Sequence, residues 1–323
     1  MFSSNIFFIA EAGINHNGSL KLARKLVEKA KLAGCNAIKF QSFITEKLMI
    51  KKNKKKFDLL KKYELSFEKQ SNIINFCKTK KIIFISSPFD IESFNFLKKK
   101  KVKIIKIPSG EITNFLLLKE IAKYNKKTIL STGMSKIYEI KNAVNFLIKH
   151  GLSNKNLYIL HCTSLYPTKL NDLNLNYILF LKKKFKFEIG FSDHTKDFLA
   201  PIIASSLGVN IIEKHITLSN KMKGPDHSSS MEVKQLPKLI KVLKDSKIAL
   251  NGSKKKTLIK EEVTKKISRK SIFAISRIKR GEFFSKKNIA ILRPGTGIEP
   301  KNYFNLIGKK SKKNYFLYES IKK

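Results

Sequence analysis

The sequence lacks the features that would cross-link the chain or anchor it in a membrane. Its three cysteines, Cys35, Cys77 and Cys162, are odd in number and widely separated, which argues against a disulfide framework and against a cysteine-based zinc site. No apolar run approaches the roughly 18 residues that a membrane span needs. Residues 1–10 lack a basic leader, so we expect a first strand there and not a signal peptide. These absences predict a soluble protein of a reducing cytoplasm, with no membrane partner.

Arginine is scarce and tryptophan is absent, although the chain is strongly basic. The formal net charge is +43, but only five of the 67 basic residues are arginine. A surface that binds nucleic acid is expected to use arginine for bidentate contacts and aromatic rings for stacking. The lysine runs, such as 51–56, 98–101 and 182–184, fall mostly at predicted helix ends and loops. We predict no nucleic-acid partner, keep a nucleic-acid-binding protein as the alternative of another class, and expect the positive field to attract anionic substrates.

What the sequence does contain is a regular alternation of short apolar segments and longer segments with helical period. Strands are predicted at residues 6–12, 37–43, 82–89, 104–109, 128–132, 158–164, 188–195 and 211–217. Helices are predicted at 20–33, 67–79, 136–149, 197–207 and 233–250. Eight βα units in sequence predict an α/β fold, a (β/α)8 TIM barrel whose active site would lie where the strands end.

The length of 323 residues fits one barrel of about 250 residues with a small appendage. We predict a catalytic barrel at 1–250, a polar linker at 251–266 and a second, β-rich domain at 267–323, with a strand at 271–274. A domain of about 55 residues is marginal on its own, so we expect it to pack on something.

Polar residues stand in or just after the second half of each predicted strand, where a barrel enzyme would carry its site. They are Glu11, Lys39, Ser87, Lys106, Ser109, Ser131, Tyr166, Ser192, His194, Glu213 and His215. A lysine inside an apolar strand is costly if it is buried without a partner. An anion should therefore meet Lys39 and Lys106, either an internal glutamate or a bound ligand. With the serine hydroxyls, both lysines would suit a small anion that carries phosphate and carboxylate groups.

Two predicted strands end on histidine, His194 in the seventh strand and His215 in the eighth. Adjacent strand ends could bring the two imidazoles onto one divalent metal ion, with open positions for a substrate. Such an ion would act as a Lewis acid and polarise a carbonyl. The alternative is that both are core histidines with backbone carbonyl partners.

Nine short segments carry a family resemblance. They are IAEAGINHNG (9–18), IKFQ (38–41), FISSPF (84–89), KIPSGE (106–111), LSTGM (130–134), LHCTSLYPT (160–168), GFSDHT (190–195), EKH (213–215) and GPDH (224–227). In this order, over nearly the whole chain, they resemble the phosphoenolpyruvate-dependent sialic-acid synthases, which make N-acetylneuraminate, legionaminate and pseudaminate. The C-terminal segment is similar to that family's antifreeze-like (SAF) domain, and Arg293-Pro294-Gly295 matches its loop.

That resemblance implies condensation of phosphoenolpyruvate with the open-chain aldehyde of an N-acylated mannosamine-type sugar, which gives a nonulosonic acid and phosphate. It implies Mn²⁺ or Mg²⁺ on His194 and His215, and a role for Glu11 in handling a proton or orienting water. Phosphoenolpyruvate would be held by Lys39, Ser87, Lys106, Ser109, Ser131 and Ser192, and the sugar by Tyr166, Asp226 and Arg293. The SAF domain would cap the other subunit's barrel, so the resemblance implies a domain-swapped homodimer in which Arg293 reaches the partner's sugar.

Other assignments stay open on the sequence alone. Lys106 or Lys39 could be the nucleophile of a Schiff-base aldolase on the same barrel. Glu111 could be a partner of a lysine or a catalytic group. His16 and His227 are expected to support the site and not to bind the metal.

Substrate choice within the family is also open. Residues 44–65 are lysine-rich and align poorly with the family pattern, so sugar contacts from this loop are not assigned. Residues 160–163 and 224–227 favour the neuraminate and legionaminate branches over the pseudaminate branch.

Overall fold

The computed structural model describes residues 6–250, 252 and 258–322. The chain divides into two compact units, Met1–Asn251 and Gly252–Lys323, and each is considered by itself. Residues 251 and 253–257 of the predicted linker lie outside the described part of the chain. Among the described residues, no helix has the length and apolar character of a membrane span.

The larger unit is a closed barrel of parallel strands. The strands are β1 (Phe7–Gly13), β2 (Ala37–Ser42), β3 (Ile83–Pro88), β4 (Ile104–Ile107), β5 (Lys127–Ser131), β6 (Leu157–Cys162), β7 (Glu188–Asp193) and β8 (Ile211–Thr217). They pair in sequence order, and the barrel closes where β1 pairs with β8, with Glu11 opposite His215. A short strand, β9 (Met231–Glu232), pairs with the end of β8. The predicted TIM barrel is confirmed, and each predicted strand end lies within two residues of the observed one.

Helices surround the barrel. They are α1 (Leu20–Leu32), α2 (Thr45–Leu48), α3 (Lys54–Tyr63), α4 (Phe67–Thr79), α5 (Ile91–Lys99), α6 (Phe115–Tyr124), α7 (Ile137–Lys149), α8 (Tyr177–Lys184), α9 (Leu199–Ser206) and α10 (Leu236–Ala249). Five of these helices have an N-cap residue whose side chain accepts a hydrogen bond from a backbone amide of the first turn. These residues are Ser19, Asn53, Ser66, Asp90 and Asn114. The predicted helix 67–79 matches α4. The predicted helix 233–250 begins later, because Val233–Gln235 form a 3-10 turn.

Side chains alternate along each strand between the barrel interior and the outer layer. An apolar cluster fills the lower interior: Phe7, Ile9, Ala37, Ile85, Ile104, Ile129, Leu160 and Ile211. Two residues further along each strand, the side chains that face the interior become polar. Glu11 lies two positions after Ile9, and Lys39 lies two positions after Ala37. The outward row packs against the helices in a larger apolar cluster. The polar row therefore lies on an apolar base at the carboxyl ends of the strands.

The interior is crowded enough to require glycine in β7. A Cβ at Gly190 would lie 2.3 Å from Leu160 Cδ2 and 2.8 Å from the carbonyl oxygen of Ile211. Those atoms belong to the neighbouring strands β6 and β8. A side chain at Gly190 would therefore push apart the strands that carry Cys162 and His215.

The smaller unit contains α11 (Ile259–Ser268), β10 (Ser271–Ala274), β11 (Ile289–Leu292) and α12 (Tyr303–Leu306). β10 and β11 pair in antiparallel fashion, so the predicted strand 271–274 is confirmed. Its core consists of Ile272, Ala274, Ile278, Phe284, Ile289, Tyr315 and Ile321. α11 begins within the predicted linker 251–266 and extends beyond its end. The amide of Leu258 donates to Glu261 Oε2 at 2.9 Å, which satisfies one polar group at the start of this helix.

Candidate functional site

A cavity of about 250 Å³ lies at the carboxyl ends of the barrel strands. All eleven strand-end residues singled out from the sequence line it: Glu11, Lys39, Ser87, Lys106, Ser109, Ser131, Tyr166, Ser192, His194, Glu213 and His215. They come from all eight strands or from the loops that follow them. Asp226 is not part of the lining, and Arg293 lies exposed in the smaller unit. The structure therefore brings together every residue predicted to hold phosphoenolpyruvate, but not every residue predicted to contact the sugar.

Each of the two lysines in the strands forms an ion pair with a buried glutamate. Lys39 Nζ lies 2.9 Å from Glu11 Oε2 and 3.5 Å from Glu213 Oε1. Lys106 Nζ lies 3.0 Å from the same oxygen of Glu213. All four side chains are buried, with at most 5% of their surface exposed. The protein itself thus supplies anionic partners for both lysines. An anionic ligand would be a further partner beside these glutamates.

Burial and neighbouring charges separate the two glutamates in pKa. Burial raises the pKa of Glu11 to about 7 against the opposing charge of Lys39, and the charge of Glu213 adds to the rise. Burial would also raise the pKa of Glu213, but the charges of Lys106 and Lys39 outweigh it and lower this pKa to about 2. Glu213 is therefore an anion at neutral pH, whereas Glu11 exchanges a proton there. Two carboxyls with divergent pKa values suit acid–base chemistry.

The two lysines also differ in pKa. Burial would lower the pKa of Lys39, but the charges of Glu11 and Glu213 outweigh it and raise this pKa. For Lys106, burial outweighs the charge of Glu213, and the pKa is lowered. When Glu11 is protonated, both lysines face a single ionised glutamate, which favours the binding of a further anion.

Serine hydroxyls surround this cluster of charges. Ser87 Oγ accepts from Lys39 Nζ at 3.3 Å, and Ser192 Oγ donates to Glu213 Oε1 at 3.1 Å. Ser109 Oγ accepts from the amide of Gly133 at 3.0 Å. These contacts fix three hydroxyls at the edge of the cavity.

Several buried polar atoms of the cavity have no hydrogen-bond partner among the described residues. They are Glu11 Oε1, Ser131 Oγ, Glu213 Oε2 and His215 Nδ1. A buried polar atom without a partner is costly, so native proteins rarely leave several in one place unless a ligand, an ion or water satisfies them. Four such atoms in one cavity indicate a site for a polar ligand.

Three rings pack together on one side of the cavity. The ring centroids of Tyr166 and His194 are 4.1 Å apart, and those of His194 and His215 are 5.4 Å apart. His194 Nδ1 lies 2.6 Å from the carbonyl oxygen of Thr163, to which it donates, so Nε2 is the nitrogen that offers a lone pair when the ring is neutral. Burial would lower the pKa of His194, but the contact with Cys162 outweighs it and raises this pKa, so a metal ion would displace a proton from Nε2. Burial, followed by the charge of His194, lowers the pKa of His215 well below its usual range. His215 is therefore neutral, the form that binds metals.

The donor set fits a divalent metal ion that is shared with a substrate. His194 Nε2 and the unpartnered His215 Nδ1 can each offer a lone pair. Within the described residues there is no group of three or more histidine, cysteine, aspartate and glutamate side chains that could hold a metal. An ion on this pair would therefore keep positions for substrate and water, as catalytic sites do. The alternative was that both residues are core histidines with backbone carbonyl partners. His194 Nδ1 has such a partner in Thr163, but His215 Nδ1 has none among the described residues.

Asp226 lies close to the histidine pair although it does not line the cavity. A Cβ at Gly13 would lie 3.4 Å from His215 Nδ1 and 3.5 Å from Asp226 Oδ2. Both side chains therefore reach the same point at the end of β1. Burial raises the pKa of Asp226, against the charge of His194.

Sequence reasoning missed the central role of Glu213. The sequence pattern places Glu213 at a strand end but assigns it no catalytic or binding role. In the structure its carboxylate contacts both lysines. The available signal was its spacing, because a residue two positions before His215 in a strand faces the same side. Gln41, Cys162 and Ser164 also line the cavity and were not assigned.

The remaining candidates, Glu111, His16 and His227, do not line the cavity. Glu111 accepts from Asn114 Nδ2 at 2.7 Å. His16 Nδ1 accepts from the amide of Gly18 at 3.0 Å. His227 Nδ1 lies 2.6 Å from Thr217 Oγ1. His16 is thus held within its own turn, and His227 contacts the end of β8.

Comparison with known proteins identifies the family of this chain. The NeuB family model matches residues 26–256. The N,N'-diacetyllegionaminic acid synthase of Campylobacter jejuni is 42% identical over 320 residues, which cover 95% of this chain and 96% of that protein. The chain belongs to the NeuB family.

Two further proteins are similar over most of this chain. The pseudaminic acid synthase of Campylobacter jejuni is 35% identical over 330 residues, covering 98% of this chain and 95% of that protein. The crystal structure of N-acetylneuraminic acid (sialic acid) synthetase from Leptospira borgpetersenii in complex with citrate has a TM-score of 0.76 and 36% identity. It covers 80% of this chain and 90% of its own. The NeuB match itself ends at residue 256, before α11.

Proposed function

We propose that this NeuB-family chain condenses phosphoenolpyruvate with the open-chain aldehyde of an N-acylated amino-hexose, giving a nonulosonic acid and phosphate. The names of its relatives, which are legionaminic, pseudaminic and sialic acid synthases, support a sialic-acid-type synthase. The observation that carries the proposal is the cavity itself, where two buried lysines face a pair of histidines. An anion and a carbonyl could be held side by side there.

Phosphoenolpyruvate would occupy the lysine side of the cavity. Its phosphate and carboxylate would contact Lys39 and Lys106, with the hydroxyl groups of Ser87, Ser109, Ser131 and Ser192 around them. The support is the buried Ser131 Oγ without a partner, together with the surplus of lysine charge when Glu11 is protonated. The Schiff-base alternative is not favoured, since the lysines are ion-paired and the relatives are named as synthases.

His194 and His215 would hold Mn²⁺ or Mg²⁺. When bound, the ion supplies Lewis-acid chemistry that polarises the aldehyde oxygen of the sugar. Tyr166 packs on both imidazoles and would keep their rings in place. This assignment is supported by the lone pairs that the two rings leave free.

Glu11 would move protons during the reaction. C3 of phosphoenolpyruvate forms a bond to the aldehyde carbon, water adds to the cationic C2, and the bond from C2 to the phosphate oxygen then breaks. The aldehyde oxygen gains one proton and the attacking water loses one as it adds. When the bond to the phosphate oxygen breaks, the hydroxyl left on C2 loses its remaining proton to become the ketone, and the departing phosphate takes that proton up. A neutral Glu11 can donate the first from its carboxyl and, as a carboxylate, accept the second. A pKa of about 7 makes both forms accessible near neutral pH.

The sugar would lie between the histidine pair and Asp226, with Tyr166 beside it. The smaller unit would be the family's antifreeze-like (SAF) domain, supported by the Arg293-Pro294-Gly295 loop that follows β11. In a domain-swapped homodimer its Arg293 would reach the N-acyl group of the sugar in the other subunit. A legionaminate-type sugar is favoured over a pseudaminate-type one, since identity is 42% to the legionaminic acid synthase and 35% to the pseudaminic acid synthase. Three free cysteines fit a cytoplasmic enzyme.

One assay tests the reaction and the choice of sugar together. The purified protein is incubated with Mn²⁺, phosphoenolpyruvate and either N-acetylmannosamine or a 2,4-diacetamido-trideoxyhexose, and phosphate release and product mass are measured. Phosphate release that needs both substrates and stops with EDTA is the expected result. No phosphate with any sugar would refute the synthase. Covalent trapping of pyruvate by borohydride, with activity that survives EDTA, would favour the aldolase.

A further inference from the structure

We propose that Asn17 and His227 form a positioning pair that fixes Asp226 beside His215 and so sets the affinity for the sugar. The proposal rests on the proposed function for the role of Asp226. Neither Asn17 nor His227 lines the cavity. They join the turn after β1 to the loop 218–230 that carries Asp226.

The hydrogen bonds of the pair leave the His227 ring one orientation. Asn17 Nδ2 donates to the carbonyl oxygen of Lys223 at 3.0 Å, so its Oδ1 is turned toward His227 Nε2, 3.1 Å away. Nε2 must then donate, so a neutral ring turns the lone pair of Nδ1 toward Thr217 Oγ1, 2.6 Å away. The one proton of the Thr217 hydroxyl is shared between Nδ1 and the carbonyl oxygen of Ser219, which lies 3.0 Å away. His227 is completely buried. A buried ring whose two nitrogens are both satisfied is held firmly, because any rotation would leave a polar atom without a partner.

The loop backbone packs directly on this pair. A Cβ at Gly224 would lie 2.6 Å from His227 Cδ2 and 2.9 Å from Asn17 Oδ1. The φ angle of Gly224, +154°, is also one that side chains rarely adopt. Gly224 stands two residues before Asp226, so the pair determines the path of the chain as it enters that residue.

A second set of contacts ties the chain on the other side of Asp226. The carbonyl oxygen of Asp226 accepts from Ser230 Oγ at 2.6 Å, and Ser230 Oγ accepts from Asn15 Nδ2 at 2.8 Å. Asn15 also donates to the carbonyl oxygen of Ile216 in β8 at 2.8 Å. Asn15 and Asn17 belong to one turn, which follows the Gly13 that faces both His215 and Asp226. That turn therefore fixes the distance between Asp226 and His215. The side-chain contacts of Asn15 and Asn17 go to β8 and to the loop 218–230, away from Lys39 and Lys106.

Steady-state kinetics of three variants test the proposal. We expect His227→Ala to raise the KM for the sugar about tenfold or more, because the loop loses its buried hydrogen bonds, while the KM for phosphoenolpyruvate stays within about twofold. His227→Gln, whose amide can still donate to Asn17, should recover most of the loss. His150→Ala, at the end of α7, is the control and should leave both constants unchanged. Equal changes in both KM values, or no rescue by glutamine, would overturn the positioning role.

A measurement without substrate keeps this test separate from the proposed function. In His227→Ala, amide hydrogen exchange in peptides that cover residues 218–230 should accelerate, with no change in peptides from β2 and β4. Unchanged exchange in 218–230 would overturn the proposal even if the enzyme proves to use other substrates. If His227→Ala does not fold, Asn17→Gly replaces it, since glycine accepts the φ of +50° at position 17 and removes only the side chain.

Discussion

The carboxylate of Glu213 forms a buried ion pair with Lys106, with 3.0 Å between Oε1 and Nζ. The same oxygen lies 3.5 Å from Lys39 Nζ, so one permanent anion serves two lysines. This sharing keeps the lysines in the barrel without a ligand, yet it leaves their charge only partly neutralised when Glu11 is protonated. The cavity can therefore be stable when empty and still attract phosphoenolpyruvate.

Replacement of the shared carboxylate should destabilise the empty protein. Glu213→Gln leaves two buried lysines with only Glu11 as an anionic partner, and breaking a buried pair typically costs about 3 kcal/mol or more in the free energy of unfolding. Phosphoenolpyruvate should then stabilise the variant more than it stabilises the wild type, because it supplies the missing negative charge. Denaturant unfolding and thermal shifts with and without phosphoenolpyruvate measure both effects. A variant as stable as the wild type would show that the lysines do not depend on Glu213.

The affinity for phosphoenolpyruvate should fall as the pH rises through about 7, the pKa of Glu11. Below this pH Glu11 is neutral, and above it a second carboxylate repels the ligand. Glu11→Gln stays neutral at every pH, so the part of the pH dependence that comes from the protein should disappear in it. Titration calorimetry of both proteins between pH 6 and about 8.5 makes the comparison, since the ligand's own ionisation is common to both. Parallel profiles would mean that Glu11 is not the titrating group.

A methyl group at Gly133 should damage the phosphoenolpyruvate side of the cavity. Its Cβ would lie 2.2 Å from Ser164 Oγ and 2.9 Å from Ser109 Oγ. Gly133→Ala should therefore displace both hydroxyls and raise the KM for phosphoenolpyruvate about tenfold or more. Gly110→Ala is a matched control, because Gly110 lines the same cavity and a Cβ there would meet nothing within 4 Å. Equal effects of the two substitutions would contradict the steric explanation.

The fold was predictable because each barrel strand carries its own signal. Short β-branched segments separated by helical periods are specified locally, and the observed strand order is the sequence order. The start of α11 was not predictable from composition, because the polar residues that suggested a linker, such as Glu262 and Lys265, also form exposed helices. Their side chains form an ion pair of 3.1 Å along the helix surface.

The site was predictable one strand at a time, but its pairings were not. Lys39 could be recognised as out of place in an apolar strand, and so could Lys106. That both contact Glu213 depends on barrel closure, which brings β2 and β4 near β8 across the interior. The hydrogen bond between Asn17 and His227 joins residues 210 positions apart, so no local sequence pattern could predict it.

Loss of one imidazole should weaken metal binding and abolish turnover without unfolding the barrel. His215→Ala removes one of the two proposed ligands, so the affinity for Mn²⁺ should fall at least about tenfold and turnover should be lost. Mn²⁺ binding measured by electron paramagnetic resonance reports on the ion independently of activity, and circular dichroism checks the fold. His150→Ala should bind Mn²⁺ like the wild type. Full activity of His215→Ala would remove the metal role from this pair.

The proposed swap of the smaller unit predicts complementation between two impaired subunits, one with a weakened sugar site and one without turnover. Arg293→Ala should raise the KM for the sugar more than the KM for phosphoenolpyruvate, since Arg293 would contact only the sugar. In a swapped dimer, a subunit with Arg293→Ala keeps an intact barrel, and a subunit with His215→Ala can supply the missing arginine to it. Their mixed dimer therefore has one complete site.

Activity of the mixture decides whether the two residues act in one subunit or across two. The variants are mixed, unfolded and refolded together, and sugar-dependent phosphate release is measured at a sugar concentration near the wild-type KM. Random pairing makes half of the dimers mixed, and each mixed dimer holds one complete site of two, so roughly a quarter of wild-type activity should return. If Arg293 served the barrel of its own chain, no mixed dimer would hold a complete site. The mixture would then show only the average of the two separate variants.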